Sequence, residues 1–321
     1  LPVPVPASST AFHGLGSGVL DLAGNGTEQV PADSGVLDKY MVLLDEQFSG
    51  NAKLAEFVEW KKRKGYDVVL VTTEDISPDG APSHDQIRDF LRGLPAADYP
   101  AYLLIIGDEN QDTGVQGYYF TTSQGGYSDL YLACRDAGDY YQDLCYGRLP
   151  AENTVQLTEM LTHVLAMDRS PPAASDPMWY RVLVSGQIQD YEDTYTNRAD
   201  RLFCETSDSV ACYFEGDPGS TDYSVTRSMV NPNNVTANCE WHYSSILWND
   251  GDVIGSRIYN TFLPSSTATA LNSSTINAGV ALVQHRDHGS NTGWGSPPFS
   301  STHVYALTNG ARRPVVFSIN C

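Results

Sequence analysis

His288 and Cys321 are the residues in this sequence whose types and spacing suit covalent chemistry. Each stands at or just past the end of an apolar stretch, AGVALVQH before His288 and RPVVFSIN before Cys321, and 33 positions separate them. A thiol acts as a nucleophile when ionised, and an imidazole on a neighbouring strand end takes its proton without being close in sequence. Gly289 follows the histidine. With no Cβ, its N–H approaches a developing oxyanion closely, and the N–H of Cys321 is a second donor. The bland alternative is an inert buried thiol and an unrelated surface histidine. Other chemistries fit less well. His285-Arg286-Asp287 has the start of a kinase catalytic loop, but position 292, where that loop needs Asn, is Thr. His285 and His288 lack both the H-E-x-x-H pattern and cysteine pairs at zinc spacing. No serine sits in a G-x-S-x-G elbow, and Gly14 to Gly18 lacks dinucleotide spacing.

Strand ends must deliver these side chains. KYMVLL reads as a buried strand, residues 51–64 carry Leu54, Phe57, Val58 and Trp60 at helical spacing, and YDVVLVTT reads as a second strand. SHDQIRDFLRGL is a helix with Ser83 as N-cap, followed by the strand AYLLIIG. SDLYLAC and DYYQDLCYGRLP are expected to add strands, and residues 153–167 a helix. WYRVLVSG, AGVALVQH and RPVVFSIN supply the later strands. Apolar strands alternating with helices imply a parallel sheet covered on both faces, so the fold class is α/β. Sites in such sheets lie at the carboxyl ends of strands.

The length of 321 residues favours two units. Residues 170–177, with three prolines, mark the boundary, giving a first subdomain over 37–172 and a second, catalytic one over 173–321. Residues 1–36 read as a linker or propeptide remnant. A net charge of −20 spread along the chain opposes nucleic acid or an anionic membrane as partner. No apolar run reaches the 18 residues that read as a membrane span. Six cysteines with few lysines point to a secreted or surface protein.

The stretch Asp287-His288-Gly289-Ser290, then Thr292-Gly293-Trp294-Gly295, Thr302-His303-Val304, Leu307-Thr308-Asn309, and finally Pro314, Phe317 and Cys321, resembles the catalytic region of the gingipain-type cysteine peptidases. Upstream, LLIIGDEN, Ser128 to Tyr131, Gly138 to Tyr141 and YGRLPAEN are similar to that family's first subdomain, in the same order. The resemblance runs from about residue 37 to Cys321 and is loosest over 187–277. It implies a caspase-like fold of two α/β subdomains, each with a mainly parallel sheet, and a Cys-His dyad cleaving peptide bonds through a thioester. Cys321 would be the nucleophile, His288 the base and acid, Gly289 and Cys321 the oxyanion donors, and Trp294 a wall of the pocket for the residue before the cut. Protein or peptide substrates follow, with no cofactor required for the chemistry. Structural calcium, held by acidic loops around Asp139 and residues 190–200, is also implied; the alternative there is a solvated acidic surface.

The sequence departs from the family at three places. Asp287 replaces the usual Gly before the histidine; it either hydrogen-bonds the imidazole or caps the strand end. Gln187 stands where a carboxylate that orients the histidine is expected, with Asp190, Glu192 and Asp193 as substitutes. The acid that selects Arg or Lys falls near residues 197–200, with Asp200 the guess. These departures keep two other readings open: a non-proteolytic relative serving binding or surface assembly, and a transpeptidase using the same dyad. Among the cysteines, Cys134 and Cys145 span an expected hairpin suited to a disulfide, and one further bond is expected among Cys204, Cys212 and Cys239. Sequons occur at Asn25, Asn234 and Asn272. The resemblance also implies elements beyond Cys321, so a C-terminal remainder of the same polypeptide is an expected partner, covering apolar surface on RPVVFSIN.

Overall fold

The structure, a computed structural model, describes residues 38–109, 114–121, 125–135, 140–191, 197–216, 223–242 and 252–320. The first sheet is parallel, in the order β2-β1-β3-β6, built from β1 (Lys39–Leu44), β2 (Asp67–Thr72), β3 (Tyr102–Ile106) and β6 (Cys145–Leu149). Between β3 and β6 lie the two-stranded ribbon of β4 (Tyr118–Phe120) and β5 (Gly126–Ser128). Side chains alternate across this sheet. Met41, Leu43, Leu103 and Ile105 pack with Ile87 and Leu91 of α3 (His84–Gly93) and with α4 (Leu130–Ala133). Val42, Leu44 and Ile106 pack on the other face with α1 (Ala52–Arg63) and α5 (Thr154–Arg169). The caps follow from sequence. Asn51 and Asn153 accept from the first-turn N–H groups of α1 and α5. Thr72 and Ser83 form capping boxes on α2 (Thr73–Ile76) and α3.

The second sheet is also parallel, in the order β14-β10-β7-β8-β9. Its strands are β7 (Arg181–Gln187), β8 (Ser224–Val230), β9 (Phe262–Leu263), β10 (Leu282–Arg286) and β14 (Val315–Ile319). Val182, Val184 and Met229 pack with α6 (Phe203–Glu215) and α7 (Gly255–Tyr259). Leu183 and Val283 pack on the opposite face with Ile276 of α8 (Ser265–Ala278) and with Phe299. A small antiparallel sheet of β11 (Gly289–Ser290), β12 (Gly293–Trp294) and β13 (Phe299–Ser300) leads into α9 (Ser301–Tyr305). β14 borders the sheet with all five residues exposed, Val315 at 61% and Phe317 at 50%. No helix among the described residues is long and apolar enough to cross a membrane.

Two sequence expectations fail in one region. SDLYLAC forms the short helix α4 at Leu130–Ala133, so no hairpin joins it to β6. Cys134, just past α4, and Cys145, on β6, form no disulfide with each other and lie toward opposite faces of the sheet. Cys134 lies close enough to Tyr146 to affect its phenol electrostatically, whereas Cys145, one residue earlier on β6, points the other way. Cys204, Cys212 and Cys239 form none among themselves either. Residues 1–36 lie outside the described residues, as does Asn25; Asn234 is exposed, while Asn272 is fully buried with its amide donating to the Ser185 hydroxyl.

Candidate active site

The register of three adjacent parallel strands assembles the site. β10 lies between β7 and β14, pairing Arg286 with Gly186 on one side and with Ile319 on the other. His288 follows Arg286 by two residues, as Cys321 follows Ile319 by two in the sequence. Cys321 itself lies outside the described residues. Close strand approach requires glycine at 186: a Cβ there would stand 2.6 Å from the Arg286 carbonyl oxygen.

His288 is held from two sides. Its Nε2 makes a 2.7 Å hydrogen bond with Oε1 of Gln189, and the Phe203 ring at the start of α6 meets it edge-on at 5.1 Å. The amide oxygen only accepts, so the neutral ring carries its proton on Nε2 and leaves Nδ1 as the basic atom. Gln189 is 4% exposed, and its carbonyl oxygen accepts the Asp200 N–H at 2.8 Å.

Gln187, expected against the histidine, instead meets Asp287. Its Nε2 donates to Oδ1 at 2.6 Å, because Gln187 follows Gly186 on β7 just as Asp287 follows Arg286 on β10. The other carboxylate oxygen, Oδ2, accepts the Ser296 N–H at 2.5 Å. Asp287 thus ties the ends of β7 and β10 to the turn after Trp294. It makes no hydrogen bond to the imidazole ring among the described contacts. Burial pushes its carboxyl up from the usual range, partly offset by bonds from the backbone of His288 and Ser296 and from Gln187.

Gly289 pairs with Trp294 across β11 and β12, and the Asn320 side chain fills the space where a Cβ would sit, 2.6 Å away. The Trp294 indole stacks on the fully buried His285 ring at 4.1 Å with planes 5° apart, and its Nε1 donates to Ser318 Oγ at 2.8 Å. It walls a groove of about 550 Å³ with Ile276, Val283, Phe299, Leu307 and Val316. Arg313 also lines this groove, and among the described residues neither Asp200 nor any other acidic residue does. Asp200 lies instead on the Gln189 side, its Oδ2 accepting the Tyr191 N–H.

Asp190 accepts the Asn197 N–H, and among the described residues no group of three or more His, Cys, Asp or Glu is placed to hold a metal ion. Of the acidic loops, Asp139, Glu192 and Asp193 lie outside the described residues.

Sequence reasoning did not single out Gln189, Phe203 or Ser318, and it weighed His285 only as a kinase-loop or zinc residue that did not fit. Gln189 had a signal: in Gln187-Ile188-Gln189 the two amides share one side of an extended chain, and one reaches each neighbour past β10.

The model of peptidase family C25 matches residues 37–321. The chain belongs to peptidase family C25. It is similar to Gingipain R2 of Porphyromonas gingivalis, 24% identical over 92% of this chain and 33% of that protein, and to Lys-gingipain of the same organism, 24% identical over 80% of this chain and 12% of that protein. The chain thus spans a third or less of these relatives. The crystal structure of the Arg-specific cysteine proteinase gingipain R superposes with a TM-score of 0.61 at 17% identity, over 89% of this chain and 55% of that one. The complex of RgpB pro- and mature domains gives 0.59 at 18% identity, over 88% and 55%. The C25 fold is therefore the caspase-like α/β arrangement expected from sequence, and the chain is a hydrolase-family protein of the cysteine peptidase type.

Proposed function

We propose that this protein is a secreted cysteine endopeptidase whose dyad is Cys321 and His288. The observation that carries the reading is the hydrogen bond between His288 Nε2 and Gln189 Oε1: the amide oxygen accepts from Nε2–H and leaves Nδ1 basic, at the end of a strand whose parallel neighbour leads to Cys321. In this mechanism Nδ1 accepts the Sγ proton and the thiolate attacks the peptide carbonyl carbon. The backbone N–H groups of Gly289 and Cys321 stabilise the oxyanion. Collapse expels the amine, which takes the proton back from Nδ1 and leaves a thioester. Water, deprotonated by His288, then releases the acid and regenerates the thiol. Stoichiometric labelling of the full-length protein by iodoacetamide, mapped by peptide mass spectrometry, tests the reading. Faster reaction at Cys321 than at the other five cysteines is expected; equal or absent labelling there would end it.

Cleavage after Arg or Lys is the expected specificity, since relatives carry Arg- and Lys-directed names and a chain of charge −20 attracts cationic peptides. Asp200, fastened beside Gln189, is the acid proposed to meet that side chain. A peptide library read by mass spectrometry would overturn this by showing cuts mainly after apolar or acidic residues.

A further inference from the structure

We propose that the charge which favours protonated His288 comes from Asp287, while Gln189 supplies only the hydrogen bond. The proposal rests on the Cys321–His288 reading above. An amide on Nε2 fixes the tautomer but carries no charge, so it cannot stabilise an imidazolium as an anion does. Asp287 is 1% exposed, adjoins His288 in the chain and interacts with it electrostatically. Its partners suit the ionised form. Gln187 Nε2 donates to one oxygen and Ser296 N–H to the other, whereas a carboxyl proton would need an acceptor. Gln187 arrives from β7 and Ser296 from the turn after β12, and both are neutral; Arg286 precedes Asp287 on the alternate face of β10. Burial works against the charged carboxylate, and the hydrogen bonds from the His288 backbone, Ser296 and Gln187 favour it. Asp287 touches no reacting atom in this scheme. It is a positioning residue acting through His288, at a place where the sequence departs from the gingipain-like pattern.

The affected step is transfer of the Cys321 Sγ proton to His288 Nδ1, which makes thiolate and imidazolium together. Iodoacetamide reads it: the thiolate forms the S–C bond and iodide leaves. In full-length protein, Asp287→Asn is expected to slow Cys321 alkylation about tenfold at pH 6.5, the effect of about one pKa unit. At pH 9.5, where an unassisted thiol has ionised, the rate should match wild type. A purely structural role for Asp287 would not give this pH dependence. The double variant Gln187→Glu, Asp287→Asn keeps a hydrogen bond between the two side chains and moves the negative charge one side chain away. It should fall between the two at pH 6.5. An Asp287→Asn rate within twofold of wild type at pH 6.5 would overturn the proposal. If that variant does not fold, a double variant as fast as wild type at pH 6.5 would do so. A wild-type protein inert at Cys321 would instead sink the peptidase reading itself.

Discussion

Cys321→Ala is expected to reduce peptide hydrolysis to background, and His288→Ala to lower kcat/KM by about a thousandfold or more, ~4 kcal/mol of transition-state stabilisation. The two effects should not add, because a thiol without its base and a base without its thiol disable the same step. Gln189→Ala separates presence from placement. The imidazole remains, but its Nε2 proton loses the acceptor at 2.7 Å, and among the described residues the ring keeps the Phe203 edge contact. Activity should fall less than in His288→Ala, with kcat affected more than KM. Steady-state kinetics on a basic peptide amide would measure all three. Unchanged turnover in either dyad variant removes the proposed mechanism.

The legible parts of this molecule are those fixed by local pattern. β1, α1, α3 and β3 follow from apolar spacing and caps, since burying one face of each element suffices to specify it. The SDLYLAC segment misled because four residues with aromatic and branched character suit a strand or a helical turn equally, and packing of Leu132 and Ala133 against α3 decided for the turn. At the site, the placement of His288 and Gly289 just past the end of β10 was legible from the apolar pattern. Gln187 and Gln189 were not assignable to their partners. Two glutamines two residues apart lie on one side of the chain, and only the β7–β10 register determines which reaches Asp287 and which reaches His288. His285 was legible only as a failed zinc ligand, because its stacking on Trp294 depends on the β12 turn folding back over β10.

That stack should make the fold acid-sensitive in a defined window. His285 is fully buried, neither ring nitrogen has a hydrogen-bond partner among the described residues, and burial pushes its titration down to about 3 from 6.5. The unfolded chain therefore binds this proton more readily than the folded one. The stabilisation from keeping His285 neutral is complete above pH 6.5 and is lost as pH falls from there toward 3. The slope is ~1.4 kcal/mol per pH unit, to at most about 5 kcal/mol. His285→Phe keeps a planar ring against the indole and removes the titration. Urea midpoints measured from pH 7 to pH 4 should fall more steeply for wild type than for His285→Phe, both sharing whatever acid loss the carboxylates contribute. Parallel curves would mean that the ring is protonated or solvated in the folded protein. If the curves diverge as expected, protonation acts on the Trp294 wall: an imidazolium pressed to the indole without an acceptor would have to leave the stack, and the groove shaped by Trp294, Phe299 and Val316 would open with it.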